Sequence, residues 1–372
     1  PKWVYALIAV LLAVVLGLFI LLSVDSSSGI GQWFRSITVG SGQGDGYPTS
    51  IVGSSVNRGN FMTLDKNVVA VSDTALTVMN SSANQSINRQ HSFHSPVLQA
   101  TSGKYLIYNL GGNGFKIEGS SDTIYSGNTS NNIIAGDIAG SGRYALVTET
   151  QGYPSSLSVY LTDNTVQYKY DFSEYYVTDI SLNSDGTRAA VSGITAKDGG
   201  IVSAVYIFDF SNPEPISILT YNEVLMEKVE YMDNGTVAAI GDTTTSMING
   251  TTGEKVDYNY QSRQMTDYAI DKNRVALALT PYDNQSASKL VILDSSASEK
   301  CVIESQDKID AVSLYGDTAA ILTDSTITGY SASSGNSFST AEAGSDARGI
   351  ALADEATVYV LGVSQIRQAR FS

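Results

Sequence analysis

A unit of about 41 residues recurs eight times between residue 49 and residue 372, and no other property of the sequence restricts the possible folds as strongly. Each unit contains a short apolar run after a turn rich in Gly, Asn or Asp, residue types that tolerate the backbone of tight hairpins. The runs begin at Val68, Tyr105, Tyr144, Arg188, Val237, Val275, Thr318 and Thr357. The period predicts one repeat architecture; a tandem of β-sandwiches fits less well because the spacing is even and no domain boundary interrupts it.

Further strand-like segments surround the apolar run in most units. In the fourth unit, residues 177–182 precede the turn and residues 204–209 follow the run, and a fourth segment is visible at 165–170 and at 255–260 in other units. No segment after residue 25 keeps a helical period for three turns. Four short antiparallel strands per repeat are typical of a β-propeller blade. The sequence therefore predicts an all-β, eight-bladed β-propeller, with seven blades as the alternative.

The two ends of the repeat region predict how the ring closes. The last unit has strand-like segments at 347–352, 357–361 and 364–370 but no fourth one before the chain ends. Residues 49–55 (TSIVGSS) form a strand-like segment left over before the first unit. We expect this segment to complete the last blade, because it would cover an open sheet edge that otherwise invites aggregation. The propeller is accordingly assigned to residues 49–372.

The N-terminal segment predicts a membrane anchor. Residues 3–24 begin at Trp3, end at Val24 and contain no charge or proline. As a helix they would be about 33 Å long, enough for the ~30 Å hydrocarbon core of a bilayer. The alternative is a cleaved signal peptide, whose apolar stretch is shorter. Residues 1–24 are thus predicted to be a transmembrane anchor, and Lys2 favours a cytoplasmic N-terminus with the propeller outside.

Residues 25–48 are rich in Gly and Ser and predict a linker between the anchor and the ring. The chain contains a single cysteine, Cys301. Secreted eukaryotic domains of this size usually carry disulfides, so the lone cysteine favours a bacterial cell envelope. The net charge of -15, without a cluster of Lys or Arg, argues against binding to nucleic acid.

The sequence offers little for catalysis, and no catalytic residue, cofactor or metal is predicted. Its two histidines, His91 and His94, lie close together without an evident third metal ligand. Triads with a serine or cysteine nucleophile need a histidine as proton shuttle. Two carboxylates from different blades could still meet over the central channel, as a glycosidase requires. A glycan-binding or glycan-active enzyme of the cell envelope therefore remains an alternative.

Loop lengths point to a binding face. In a propeller, the loops between second and third strands share one rim with the loops that lead to the next blade. Three second-to-third connections are long, at 149–155, 193–203 and 281–288. This rim also collects aromatic and polar residues of the kind that anchor interfaces. The binding-face candidates are Tyr153, Tyr175, Tyr176, Tyr282, Asp283 and His94.

Residues 183–192 (NSDGTRAAVS) resemble the hairpin of TolB-like and WD-repeat propellers. With the N-terminal anchor, residues 108–117 (YNLGGNGFKI) and residues 50–56 (SIVGSSV), the chain resembles an uncharacterised family of single-span, membrane-anchored propellers in Gram-positive bacteria, classed as a domain of unknown function. The resemblance implies fold and location and no activity. The chain lacks the Trp-Asp and Gly-His pairs of true WD repeats. It also lacks the recurrent Trp of quinone-cofactor propellers, because Trp3 and Trp33 both precede the ring.

Together these observations predict a membrane-anchored, extracytoplasmic binding or scaffold module that holds an envelope protein on its loop-rich rim. A glycan ligand is the second possibility. A sensor ectodomain that signals through the single helix is the third. The closing strand would run towards the loop-rich rim, so the linker is expected to enter at the opposite, plain rim and the loop-rich rim to face away from the membrane.

Overall fold

The computed structural model describes residues 44–283 and 287–372. Within them the regular elements are 32 β-strands, arranged as eight antiparallel sheets of four strands each. The eight-bladed propeller is confirmed, and the seven-bladed alternative is wrong. In the described part of the chain, no helix is long and apolar enough to cross a bilayer. The predicted anchor at residues 3–24 and most of the predicted linker lie outside the described residues.

Each blade consists of four strands that follow one another in the chain, and the first strand is innermost. Blade 1 contains β2 (Val56–Leu64), β3 (Asn67–Ser72), β4 (Ala75–Met79) and β5 (Gln85–Gln90), and blade 2 contains β6 (Pro96–Thr101), β7 (Lys104–Asn109), β8 (Gly114–Gly119) and β9 (Thr123–Asn128). Blade 3 contains β10 (Ile133–Ile138), β11 (Tyr144–Thr148), β12 (Ser155–Tyr160) and β13 (Val166–Phe172), and blade 4 contains β14 (Tyr176–Leu182), β15 (Arg188–Lys197), β16 (Gly200–Asp209) and β17 (Ser217–Asn222).

The second half of the ring repeats this order. Blade 5 contains β18 (Met226–Tyr231), β19 (Thr236–Gly241), β20 (Thr244–Asn249) and β21 (Lys255–Asn259), and blade 6 contains β22 (Arg263–Asp271), β23 (Arg274–Pro281), β24 (Ser288–Asp294) and β25 (Glu299–Ser305). Blade 7 contains β26 (Ala311–Tyr315), β27 (Thr318–Thr323), β28 (Thr326–Ser331) and β29 (Ser337–Glu342), and blade 8 contains β30 (Gly349–Leu352), β31 (Thr357–Leu361), β32 (Gln365–Arg370) and β1 (Thr49–Ser50).

Blade 8 joins the two ends of the described chain. Strand β1 pairs antiparallel with β32, with Thr49 opposite Ile366, and the Ile51 amide donates to the Ser364 carbonyl at 3.0 Å. The paired strand is shorter than the predicted segment 49–55. Just before it, the Tyr47 hydroxyl donates to the Asn80 carbonyl of blade 1 at 2.8 Å. The ring is therefore closed by main-chain pairing and by a side-chain contact to the neighbouring blade.

The apolar runs that define the repeat form the second strand of each blade. In β3, Val68, Val69 and Val71 are fully buried although they point to both faces of the sheet. Such strands are apolar throughout because both faces pack against neighbouring blades, whereas a strand with one solvated face alternates. The outer strand β13 does alternate, with exposed residues between Tyr168 and Phe172 on its buried face.

Side chains of one blade satisfy main-chain groups at the inner edge of the next blade. An inner strand has no partner within its sheet on the channel side, so its amides need other acceptors. The side-chain oxygen and amide pairs are Asn60 to Leu98 (2.9 Å), Asp137 to Leu182 (2.6 Å), Asp179 to Val229 (2.9 Å), Ser181 to Tyr231 (3.0 Å), Asp267 to Val312 (2.6 Å) and Ser313 to Leu352 (2.9 Å). These bonds hold neighbouring blades in register.

The loop-rich rim differs from its prediction in one place. Residues 149–154 lie outside the strands, as expected, and so do the described residues 282, 283 and 287 between β23 and β24. The segment 193–203 is not a loop, and that prediction is wrong: β15 and β16 continue as a hairpin to a tight turn at Asp198 and Gly199. Both turn residues have positive φ, 52° and 84°, as a two-residue hairpin turn requires. The β-branched residues on either side favour extended strands over an irregular loop.

The chain enters the ring at the plain rim. The Gly46 amide donates to the Ser82 carbonyl at 3.1 Å, in the turn between the third and fourth strands of blade 1. That turn lies on the rim opposite the connections between second and third strands, such as residues 149–154, because successive antiparallel strands reverse direction. The plain rim is mostly built of short turns, although residues 210–216 form a longer one.

Candidate functional site

The structure separates the predicted binding-face residues into exposed and buried ones. Tyr153, Tyr176 and Tyr282 are exposed, with 47%, 61% and 59% of their surface accessible, and Asp283 and His94 are exposed as well. Tyr175 is buried, with 5% accessible, and its ring packs edge-on against Tyr206 at 6.0 Å. Its assignment to the binding face is therefore wrong. Neighbouring residues of an extended segment point to opposite sides, so Tyr175 faces the core where Tyr176 faces solvent.

Tyr153 and Tyr176 lie at the same junction between blades 3 and 4. The Val177 amide, next to Tyr176, donates to the Ser155 hydroxyl, two residues after Tyr153, at 3.0 Å. Both Ser155 and Val177 are buried, so this hydrogen bond fixes the two exposed rings relative to one blade junction. Tyr282 and Asp283 belong to blade 6, and His94 lies between blades 1 and 2, so these residues occupy other sectors of the rim.

The hairpin of blade 4 adds a residue that the sequence analysis did not single out. Strand β14 pairs with β15 only as far as Tyr176 opposite Ile194, so residues 195–201 project beyond it. Ile201 lies in this projecting part with 46% of its surface accessible. An Asp-Gly pair flanked by β-branched residues was the signal that could have identified the hairpin. Tyr153, Tyr176 and Ile201 are referred to below as the apolar patch.

His91 and Cys301 are accounted for by local contacts. The Nε2 atom of His91 lies 3.1 Å from the Ser72 carbonyl, and its Nδ1 accepts the Phe93 amide at 3.2 Å. Burial lowers the pKa of His91, which favours the neutral ring. Cys301 is buried, and burial raises the pKa of its thiol. Among residues 44–283 and 287–372, no three His, Cys, Asp or Glu side chains come together as metal ligands.

β-bulges position charged side chains in the inner strands around the central channel. The inner strands of blades 3, 4, 5 and 6 each shift register near their first residues. In three of them the residue after the shift is charged: Asp179, Lys228 and Asp267. A bulge re-aims the side chains that follow it. The repeated bulge thus brings acids and a lysine from consecutive blades to one level of the ring.

Lys228 is the centre of a charge network that joins blades 3, 4 and 5. Its Nζ lies 3.3 Å from a carboxylate oxygen of Asp179 and 3.3 Å from one of Glu230. Burial lowers the pKa of Lys228, but these two carboxylates outweigh it and hold that pKa well above its usual value. Burial, and then the charge of Glu230, raise the pKa of Asp137 to about 7. The network therefore contains one carboxyl that titrates near neutral pH.

A second ion pair joins blade 1 to blade 6 across the channel side of blades 7 and 8. Arg58 of blade 1 is paired with Asp267 of blade 6 and donates to the Asp310 carbonyl, which precedes blade 7, at 2.9 Å. Blades 7 and 8 lie between these strands on the ring, so the Arg58 side chain must extend past both. Gly349 of blade 8 leaves the space: a Cβ there would contact Arg58 Cγ at 3.4 Å. Burial raises the pKa of Asp267 to about 6, although Arg58 opposes this.

These contacts give the channel carboxylates a structural role. Asp137, Asp179 and Asp267 each accept a main-chain amide of the next blade, and Asp179 and Asp267 are also ion-paired. A pair of acids that works on a glycosidic bond needs, beside a protonated acid, a second carboxylate that is free to act as nucleophile or base. Asp179 and Asp267 are held by cations and are not free in this sense. On the loop-rich rim, by contrast, the apolar patch exposes three large side chains.

The family assignment rests on a match over nearly the whole ring. The family model described as "Family of unknown function (DUF5711)" matches residues 46–370. The chain belongs to this family. The matched region begins two residues after the first described residue and ends within β32, so the DUF5711 match and the propeller coincide. No curated protein matches the chain.

Solved structures share the fold of this DUF5711 member. The C-terminal WD40 domain of Sif2 superposes with a TM-score of 0.62 at 10% identity, covering 88% of this chain and 99% of that domain. BamB from Moraxella catarrhalis has a TM-score of 0.55 at 10% identity and covers 87% and 100%. The quinohemoprotein alcohol dehydrogenase ADHIIG from Pseudomonas putida HK5 has a TM-score of 0.59 at 8% identity and covers 88% and 76%. At these identities the likeness concerns the fold alone.

Proposed function

We propose that this protein is a binding scaffold that holds a protein partner on the apolar patch of blades 3 and 4. The observation that carries the proposal is the exposure of Tyr153, Tyr176 and Ile201 in one sector of one rim. Aromatic residues are enriched at the centres of protein interfaces, where they supply much of the binding energy. Burying a large apolar side chain contributes about 1.5–3 kcal/mol, so two or three partly exposed ones suffice as anchors.

The rigid ring supports this function. Ser155 and Val177 tie the loop that carries Tyr153 to the strand that begins at Tyr176, and both tied residues are buried. Side chains held on a preformed surface lose little conformational entropy on binding. The bond between Val177 and Ser155 thus fixes the main chain that carries Tyr153 and Tyr176, and Ile201 lies on the projecting hairpin of blade 4.

We further propose that the protein is held at the outer face of a bacterial cell membrane by the helix predicted for residues 3–24. The chain enters the ring at the plain rim, where the Gly46 amide binds the Ser82 carbonyl. A linker that reaches the plain rim from the membrane leaves the apolar patch on the far side, open to partners in the envelope. Cysteine labelling of intact cells at Tyr282→Cys and Asn234→Cys tests this orientation, with stronger labelling expected at Tyr282→Cys. Equal labelling, or protection at Tyr282→Cys alone, would contradict it.

The binding function is tested by affinity capture with the full chain, solubilised in mild detergent and immobilised through a C-terminal tag. The bait is incubated with solubilised envelope, next to the variant Tyr153→Ser/Tyr176→Ser and a control, Tyr315→Ser/Val256→Ser. The control removes two exposed side chains outside the patch. We expect one protein to be retained by the wild-type chain and the control and lost from the patch variant, at equal melting temperatures. Equal retention by all three chains would refute the proposed surface.

We also propose that the chain has no catalytic activity of its own, since the channel carboxylates are engaged by main-chain amides and by cations. Release of reducing ends from cell-wall glycan would contradict this, provided that Asp179→Asn abolishes it in a folded protein. Binding of glycan without turnover, lost from the Tyr153→Ser/Tyr176→Ser variant, would replace the protein partner by a glycan.

A further inference from the structure

The rim around the apolar patch is strongly acidic. The rim segments of blades 3 to 5 are residues 149–154, 173–176, 194–203, 223–227 and 242–243. They contain one basic residue, Lys197, and six acidic ones: Glu149, Glu174, Asp198, Glu223, Glu227 and Asp242. Five of the six acids are exposed, and Asp242 is half-buried. This sector therefore carries a net charge of -5 next to the exposed side chains of Tyr153, Tyr176 and Ile201.

The acids of this sector are not neutralised within the molecule. In the described part of the chain, none of the six carboxylates forms an ion pair with a lysine, arginine or histidine. Partial desolvation, and then the nearby charge of Asp242, raise the pKa of Glu227. Elsewhere on this rim two acids are ion-paired: Asp346 pairs with Arg367 at 2.7 Å, and Asp310 with Lys308 at 3.3 Å.

We infer that the partner contacts the apolar patch through a basic segment of polypeptide, in which lysine or arginine side chains flank an apolar anchor. This inference rests on the proposed function and specifies its partner. Opposite charges across an interface steer association, and a like-charged partner is disfavoured by several kcal/mol. The unpaired carboxylates around the apolar patch therefore favour a partner whose contact surface has an apolar centre surrounded by lysine or arginine side chains. An acidic or neutral segment would leave these carboxylates unpaired beneath the interface.

The test uses two synthetic nine-residue peptides as probes, both with Leu and Phe at alternate positions. One carries Lys at the intervening positions and the other carries Glu. Binding to the full chain in detergent is followed by fluorescence anisotropy at low and high salt. We expect the lysine peptide to bind and to weaken about tenfold or more at high salt, since exposed charges are screened beyond ~3 Å at 1 M. The glutamate peptide is expected not to bind.

Two charge variants separate this surface from the overall acidity of the chain. Glu149→Gln/Glu174→Gln/Glu223→Gln removes three charges at the patch. The control Asp122→Asn/Asp233→Asn/Glu254→Gln removes three exposed, unpaired charges from the plain rim. We expect affinity for the lysine peptide to fall about tenfold in the patch variant and less than twofold in the control, because screened charges act over about 10 Å at 0.1 M salt.

The possible results distinguish this inference from the proposed function. Equal affinities of the two charge variants, failure of the lysine peptide to bind, or equal binding of the glutamate peptide would each overturn the basic-partner inference. The scaffold function would still stand if the Tyr153→Ser/Tyr176→Ser variant loses the envelope protein. If that variant retains both the lysine peptide and the envelope protein, the proposed surface itself is refuted.

Discussion

Arg58 and Asp267 are 209 residues apart in sequence and form an ion pair between the inner strands of blades 1 and 6. The pair extends past blades 7 and 8, whose inner strands carry small or apolar residues at this level, among them Gly349 and Ala311. It therefore links the first blade to a distant part of the ring, independently of the main-chain closure in blade 8.

Arg58→Met is expected to lower the free energy of unfolding by about 1–3 kcal/mol at pH 8, less than for a fully buried pair because 39% of the Arg58 side chain is accessible. The loss should be smaller at pH 5. Burial raises the pKa of Asp267 to about 6, above its usual value, so this carboxyl is mostly neutral at pH 5 and loses no ionic partner when Arg58 is replaced. For the same reason the contribution of Asp267 to stability declines as the pH rises from about 4 to about 6. Urea unfolding at both pH values measures the difference, and an equal loss at both would contradict this account.

Substitutions at Gly349 provide the matched test of geometry. An added Cβ would lie 3.4 Å from Arg58 Cγ, an ordinary contact, so Gly349→Ala should change stability by less than about 0.5 kcal/mol. Gly349→Leu would occupy the path of the Arg58 side chain and separate it from Asp267. We expect its pH-dependent loss of stability to resemble that of Arg58→Met, and it should add little in the double variant. Full additivity would show that Gly349 acts elsewhere.

Asp137→Asn is expected to flatten the dependence of stability on pH near neutrality. Burial and Glu230 raise the pKa of Asp137 to about 7, so the wild-type protein should lose stability as the pH rises from about 4 to about 7. Lys228 opposes this shift, and the Leu182 amide donates to the Asp137 carboxylate at 2.6 Å. Asparagine keeps an oxygen for that amide, whereas Asp137→Ala does not and should destabilise at every pH. Thermal melting from pH 5 to pH 8 tests both, and an unchanged slope in Asp137→Asn would argue against a raised pKa.

Ser203→Ala is expected to destabilise the protein by about 1–3 kcal/mol, since it leaves buried main-chain groups without partners. The Ser203 hydroxyl accepts the Met226 amide at 3.1 Å and donates to the Val224 carbonyl at 2.7 Å, joining blades 4 and 5. Ser173→Ala, at an exposed rim position, is the control and should have little effect. Urea unfolding compares the two variants, and equal midpoints would show that the hydroxyl does not join the blades.

A chain that starts at Val56 lacks the closing strand and is expected to self-associate. Without β1, the backbone of β32 becomes an open sheet edge, and the contact between Tyr47 and Asn80 is lost. A chain that starts at Gly44 keeps both features and serves as the control. Light scattering after size-exclusion chromatography is the measurement. A monomeric Val56 chain with the melting temperature of the control would show that closure is unimportant.

Local pattern was enough to predict the fold. Each blade is built from consecutive hairpins, so most of its strands pair with their neighbours in sequence. The turn residues and apolar runs of these hairpins therefore recur as a recognisable sequence pattern. This is why the eight runs from Val68 to Thr357 identified eight blades, and why Thr49 could be assigned to the last one. The length of the segment 193–203 predicts a loop, but the segment is a hairpin whose turn is formed by Asp198 and Gly199.

The candidate site depends on relations that no local pattern records. Neighbouring side chains of an extended segment alternate between core and solvent, so either Tyr175 or Tyr176 could face solvent. The packing of Tyr175 against Tyr206 shows that Tyr176 is the exposed one. The network of Lys228 and the pair of Arg58 with Asp267 form because bulges and ring closure bring distant strands to one channel. The acidic rim likewise exists only once segments of three blades lie side by side. Repetition along the chain therefore specifies the ring, whereas contacts between blades specify its charged and apolar surfaces.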